Sequence, residues 1–114
     1  FLVHGIHHFL PMDRERLVMP PALLAIFLGI VWAAARLLLP ASLLLGIFSG
    51  AICGYIAYDM LHYSSHHAVP PVAVLRFLKR YHMEHHYFYP NLGFGVSSPL
   101  WDHVFGTAIP MKSE

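Results

Sequence analysis

Residues 22–58 read ALLAIFLGIVWAAARLLLPASLLLGIFSGAICGYIAY, a stretch in which Arg36 is the only charge and Pro40 divides the apolar run near its middle. Each half is about 18 residues, roughly 27 Å as a helix, close to the ~30 Å hydrocarbon core of a bilayer. The stretch predicts two membrane-spanning helices, over about residues 22–39 and 41–58, joined by a tight turn. The competing reading, a hairpin buried in a soluble protein, fails because the rest of a 114-residue chain is too short to cover it. Composition agrees. The chain is 57% hydrophobic and 11% charged, against ~25% charged in an ordinary soluble domain.

Two spans return the chain to the side it left, so residues 1–17 and 59–114 share one face of the membrane. The expected architecture is an all-α integral membrane protein, a two-span hairpin bearing a cap of short helices. The cap side carries Arg14, Arg16, Arg76, Lys79, Arg80 and Lys112, and the far side only Arg36, which can snorkel from a helix end. Lys and Arg collect on the cytoplasmic side, so the cap is expected to be cytoplasmic. Cys53 is alone and mid-span, which excludes a disulfide framework and a cysteine-type zinc site. No secretory signal and no nucleic-acid motif is visible. The chain starts at Phe1, with no lead-in before its first motif, and is expected to be a piece of a longer protein.

Outside the apolar stretch, histidine dominates. Nine of the ten histidines fall in three short windows, H-G-I-H-H (His4, His7, His8), H-Y-S-S-H-H (His62, His66, His67) and H-M-E-H-H (His82, His85, His86). Offsets of three and four residues return to one helix face. Each window can therefore aim two or three imidazoles at one point, as a metal requires. Eight nitrogens are candidate ligands: His4, His7, His8, His62, His66, His82, His85 and His86. One zinc takes three or four protein ligands, so eight are enough for most of two metals. His67 is off the face of His62 and His66, and His103 has no partner at ligand spacing and reads as structural. A zincin helix is excluded because neither H-E-x-x-H nor H-x-x-E-H occurs, and a deaminase because P-C-x-x-C needs two cysteines.

The remaining features are read from local pattern. Phe1 to Leu10 ends a helix that Pro11 stops, and Met12–Pro21 is a charged interfacial connection, its Asp13–Arg16 run a solvated surface. Ser42, Gly46, Gly50 and Gly54 recur every four residues, a spacing that lets membrane helices pack closely. Tyr58 and Asp59 end the second span one turn before His62. Asp59 can fix the tautomer of a ligating histidine or contact substrate. An amphipathic helix is expected over about 72–87, with Leu75, Leu78, His82, His85 and His86 on one stripe and Arg76, Lys79, Arg80 and Glu84 opposite. A short helix follows, with Ser98 as its cap, Pro99 its first residue and Gly106 its end, and with Trp101 and Phe105 as an interfacial lid or anchor.

The order H-x-x-H-H, two-span hairpin, H-x-x-x-H-H, H-x-x-H-H resembles the membrane fatty acid hydroxylase and sterol desaturase superfamily. The segments H-G-I-H-H-F-L-P-M-D-R-E-R-L-V-M-P-P, Y-D-M-L-H-Y, K-R-Y-H-M-E-H-H-Y and G-F-G-V-S-S-P-L-W-D-H-V-F-G-T are similar to fatty acid 2-hydroxylases of the sphingolipid pathway. The resemblance covers nearly the whole chain and implies that residues 1–114 are the C-terminal portion of a catalytic domain. It implies a di-iron centre that uses O₂ and electrons from cytochrome b5 or an equivalent donor. The reaction would place a hydroxyl at C2 of a fatty acyl chain, free or within ceramide. The eight histidines would be ligands, and Tyr58 and Asp59 would position the acyl carbonyl end. The family's earlier H-x-x-x-x-H pair and its frequent cytochrome b5 domain have no counterpart here. The membrane would be the endoplasmic reticulum in a eukaryote or the inner membrane in a bacterium. A sterol, alkane or carotenoid substrate is the nearest competing reading. A membrane zinc-binding protein or hydrolase, with zinc on the same nitrogens, and a non-catalytic metal-binding fragment are the readings from other classes.

Overall fold

The computed structural model describes residues 5–111, so His4 and Lys112 lie outside the described residues. Those residues form helices and connections with no strand among them. Helix α1 spans Gly5–Phe9, and its last bond is Leu10 N–H to the Ile6 carbonyl, just before Pro11. Asp13 then caps a single 3-10 turn, Arg14–Arg16, by accepting from the Glu15 N–H at 3.1 Å and pairing with Arg16 Nε at 3.0 Å.

Helix α2, Pro21–Ala35, begins with proline, whose missing N–H costs nothing at a first-turn position. It ends four residues before the expected limit at residue 39. Arg36 turns back to donate to the Leu39 carbonyl at 2.9 Å, and the Leu37 and Leu38 N–H groups bond three residues back. Pro40 disfavours α geometry in the residue before it, so the helix unwinds into turns. Helix α3, Ala41–His67, carries the second apolar run and the second histidine window on one uninterrupted 27-residue rod.

Within the segments 14–35 and 41–67, 18-residue windows reach mean hydropathies of 2.2 and 1.7, and by length and composition both segments can cross a bilayer. Only 6% of each apolar window is buried, which separates these helices from the core of a soluble protein. Ile26, Phe27 and Ile30 on α2, and Leu45, Ile47 and Ile56 on α3, point outward, as lipid-facing side chains do. The two helices meet through Trp32 and Phe48, edge to face at 5.0 Å. The Gly46–Gly50–Gly54 stripe points elsewhere, since a Cβ at any of the three would meet nothing within 4 Å among the described residues.

Helix α4, Ala73–Tyr87, buries Leu78, Tyr81, His82 and His85. Its basic face reaches back to the end of α3. Lys79 Nζ donates to the Ala68 carbonyl at 2.7 Å and Arg76 Nη1 to the Pro71 carbonyl at 2.6 Å. Cations at a helix C-terminus are favourable and here also set the angle of the α3–α4 corner. Helix α5, Leu100–Phe105, starts one residue later than expected; the Leu100 N–H donates to Ser98 Oγ at 3.2 Å, and Gly106 ends the helix at φ 70°. Trp101 and Phe105 on it are exposed and stack on each other at 5.9 Å.

Candidate metal centre

Three helices deliver imidazoles to one point. His7 comes from α1, His62 and His66 from successive turns of α3, and His82 and His86 from successive turns of α4. One ring nitrogen of each lies within 4.8 Å of the others. Along the cluster the Nε2 atoms are separated by 3.1 Å (His62–His7), 3.1 Å (His7–His86), 3.0 Å (His86–His82) and 2.9 Å (His82–His66). A neutral ring nitrogen carries a single proton or a single lone pair, so His7, His86 and His82, each between two neighbours, cannot make good hydrogen bonds to both. A shared cation satisfies them together. With metal–nitrogen bonds of about 2.0–2.1 Å, neighbouring ligands stand about 3.0 Å apart at right angles and about 3.4 Å apart in a tetrahedron. The consecutive spacings of 2.9–3.1 Å match right-angle edges, and the outermost nitrogens, up to 4.8 Å apart, would have to draw in to the ~4.2 Å that two such bonds in line can span.

The electrostatics favour the same conclusion. Burial, then the imidazoles of His86, His62, His66 and His85, hold His82 far below the ordinary histidine range. His86 is lowered in the same way, by burial and then by His8, His66, His7 and His85. Both rings are therefore neutral near pH 7, the form that ligates a metal. Five buried or half-buried imidazoles facing one another are suited to a shared dication.

His8 and His85 form a second, adjoining pair, with Nε2 atoms 3.2 Å apart, and the His8 ring stacks on His86 at 4.3 Å. His85 Nδ1 donates to the Leu92 carbonyl at 2.6 Å. Seven of the eight candidate histidines are thus brought together as a group of five and a neighbouring pair, and the eighth, His4, is outside the described residues. His67 stands apart, half-buried with its ring 4.8 Å from Tyr63, and His103 is exposed.

Tyr58 and Asp59 lie on the wall of a cavity of about 300 Å³ that reaches from His7 and His62 to Leu23 on α2. The Tyr58 ring is 5.9 Å from that of His62. Tyr55, one turn earlier, lines the same cavity and interacts with the Asp59 side chain and the Met19 backbone. The sequence reading passed over Tyr55; its signal was a hydroxyl at the inner end of an apolar span, in register with Asp59. Asp102 was also missed. It is 2% exposed and accepts four hydrogen bonds, from the Tyr81 hydroxyl (3.1 Å), Thr107 Oγ1 (2.8 Å) and the Phe94 and Gly95 N–H groups (2.9 Å each). Burial alone would raise this carboxyl; the bonds from Thr107, Gly95, Phe94 and Tyr81 outweigh it and hold the group below the usual carboxylate range.

Two apolar helices long enough to cross a bilayer, one of them ending in clustered imidazoles that could hold a metal, define a histidine-rich protein of membrane-associated type. Residues 1–107 match the fatty acid hydroxylase family, and the chain belongs to that family. It is 47% identical over 114 residues to a ceramide very long chain fatty acid hydroxylase of Schizosaccharomyces pombe, covering 100% of this chain and 33% of that protein. It is 45% identical over 113 residues to a dihydroceramide fatty acyl 2-hydroxylase of Arabidopsis thaliana (99% and 48%), and 39% identical over 113 residues to a human fatty acid 2-hydroxylase (98% and 30%). A solved structure described as full-length scs7p, with only the hydroxylase domain visible, superposes with a TM-score of 0.86 at 48% identity, over 96% of this chain and 41% of that one. The chain therefore spans between 30% and 48% of the length of these curated relatives.

Proposed function

We propose that the protein containing this chain hydroxylates C2 of a fatty acyl group, free or within ceramide, in an O₂-dependent reaction at a histidine-held pair of irons on the cytoplasmic face of a lipid-synthesising membrane. The observation that carries the reading is the convergence of five imidazole nitrogens within 4.8 Å beside a cavity that runs to the apolar helices. Family membership, together with the printed activities of the relatives, supplies the reaction class.

In this reading His7, His62, His66, His82 and His86 hold one metal, and His8 and His85, with His4, contribute to the second. Iron held there would supply the redox chemistry of an O₂-dependent hydroxylation, in which O₂, two electrons from cytochrome b5 or an equivalent donor and two protons yield the hydroxyl and one water. The chain's own residues do the rest. The apolar wall from Leu23 to Leu17 admits an acyl chain from the bilayer and excludes water. The Tyr58 hydroxyl donates to the acyl carbonyl, and the Tyr55–Asp59 pair holds the head end beside it. That places the carbon next to the carbonyl close to His62.

The test is product formation by the purified full-length protein, supplied with O₂ and a reduced donor and assayed by mass spectrometry for 2-hydroxy acyl chains. Iron-loaded wild-type protein is expected to form them, and zinc-loaded protein or His62→Ala is not. One metal per chain in a fully active preparation, or full activity with zinc alone, would sink the di-iron reading.

A further inference from the structure

A ring of contacts begins and ends on α4. Tyr81 donates to Asp102 Oδ2 at 3.1 Å, and Asp102 takes the Phe94 and Gly95 N–H groups on its two oxygens. The peptide before them is fixed as well, the Gly93 N–H donating to the Thr107 carbonyl at 2.8 Å. The carbonyl of that same peptide, Leu92, receives His85 Nδ1 at 2.6 Å, one helical turn beyond Tyr81. The ring has no slack. Gly93 sits at φ 70° with Ile109 against the place a Cβ would occupy, and a Cβ on Gly95 would stand 2.1 Å from the Ser98 carbonyl. The Tyr81 hydroxyl also accepts the Ile109 N–H at 3.3 Å, which ties the far end of the tail to the same point.

This ring has a chemical consequence. A carbonyl oxygen only accepts, so the Leu92 carbonyl forces the proton of His85 onto Nδ1 and leaves Nε2, facing His8, as a lone pair. By contrast, the Nδ1 atoms of His66, His82 and His86 are buried without a partner among the described residues. Those rings are placed by mutual packing, whereas His85 is placed from outside the cluster, by the tail.

We infer that Asp102 is a positioning residue for the second metal, acting through Leu92 on the tautomer and angle of His85. The inference rests on the two-metal reading. Loss of an outer hydrogen bond to a metal-ligating histidine typically costs 10–100-fold in metal affinity, and here the carboxylate that sets such a bond lies on a different helix from the ligand. Asp102→Asn removes the charge that gathers four donors but keeps the shape, so the loss should fall on one metal and spare the other.

The experiment is titration of the metal-free full-length protein with Co²⁺ alone, followed by its visible absorption. Wild type, Asp102→Asn, His85→Ala and the double variant are compared. Two ions per wild-type chain are expected, with Asp102→Asn weakening one of them 10–100-fold and leaving the other unchanged. On the His85→Ala background Asp102→Asn should add nothing, because its effect runs through that ring; a general packing defect would add its own loss. Should Asp102→Asn fail to fold, Thr107→Val, which removes one bond to the carboxylate and keeps the side-chain shape, must show the same selective loss in smaller measure. Equal weakening of both ions, wild-type affinity in Asp102→Asn or Thr107→Val, or full additivity with His85→Ala overturns the inference. One ion per wild-type chain instead overturns the two-metal reading itself.

Discussion

Removing His82 should uncouple the stability of the metal-free protein from that of the metal-bound one. His82 is 1% exposed, contacts His66 and His86 at 2.9 and 3.0 Å, and has an Nδ1 atom that is buried and partnerless among the described residues. In the metal-free protein His82→Ala creates a cavity, at about 2–5 kcal/mol for a large-to-small core change. It also relieves a buried unsatisfied polar group, worth about 1–3 kcal/mol. The two effects oppose each other, so metal-free stability should fall by about 1.5 kcal/mol, and by no more than about 4 kcal/mol. With metal the outcome differs. At a metal concentration 1,000 times Kd the wild type gains about 4.1 kcal/mol; if losing this ligand weakens binding 100-fold, the gain drops to about 1.4 kcal/mol. Thermal unfolding of the solubilised full-length protein with and without Co²⁺ measures both quantities. The metal-dependent rise in midpoint should shrink to about a third. An unchanged rise would show that His82 is a packing residue and that the five-histidine cluster is not the binding site.

Tyr58→Phe should cut turnover several-fold with metal content unchanged, whereas Asp59→Asn should lower turnover, metal content or both; metal analysis beside product assay separates the two roles, and wild-type turnover in Tyr58→Phe would leave that residue an interfacial aromatic. The depressed pKa values of His82 and His86, set first by burial and then by neighbouring imidazoles, give the metal-free protein a pH dependence of fixed sign. Above about pH 6.5 both states hold these rings neutral, and below it only the unfolded chain takes up protons. Stability should therefore fall as pH drops below about 6.5, by up to about 1.4 kcal/mol per pH unit for each group, and unfolding midpoints that do not change between pH 7.5 and 5 would contradict the burial of these rings. Gly95→Ala drives a Cβ to 2.1 Å from the Ser98 carbonyl and 2.9 Å from Asp102 Oδ2. It should destabilise the tail by about 3 kcal/mol, read as protease sensitivity after residue 88; a variant as resistant as wild type would show that the 92–98 turn shifts freely.

The parts legible in the sequence are those governed by local pattern. Apolar length gave the two candidate spans, and the i, i+3, i+4 spacing gave the faces on which the histidines sit, because both depend only on helix geometry. The end of α2 was not legible, since it is set by the Arg36 side chain folding onto Leu39, a contact that composition does not encode. The small-residue stripe of α3 read as a packing face, yet it faces open space among the described residues, and α2 meets α3 through Trp32 and Phe48 instead. Spacing could assemble three histidine windows but not sort them, because the division into five and two follows from how α1, α3 and α4 cross. Asp102 was hidden for the same reason. Its four donors come from residues 81, 94, 95 and 107, so no window of sequence contains them together.

The placement of the cluster relative to the bilayer follows from the continuity of α3. Eighteen residues of apolar helix bring Tyr58 to the end of the span, and four more residues carry His62 about 6 Å further along the same rigid axis. The second histidine window is thus held at a fixed distance from the apolar run by one continuous helix, with no break between them. Helix α4 is tied to that axis by Lys79 at the α3 terminus, Arg76 holds the connection at Pro71, and His85 is fixed in turn by the tail. A lipid anchored by its head at Tyr58 would therefore offer the carbons nearest that head to the cluster, while its distal chain stays in the apolar cavity toward Leu23. A reaction next to the carbonyl, rather than mid-chain, is the regiochemistry this geometry favours.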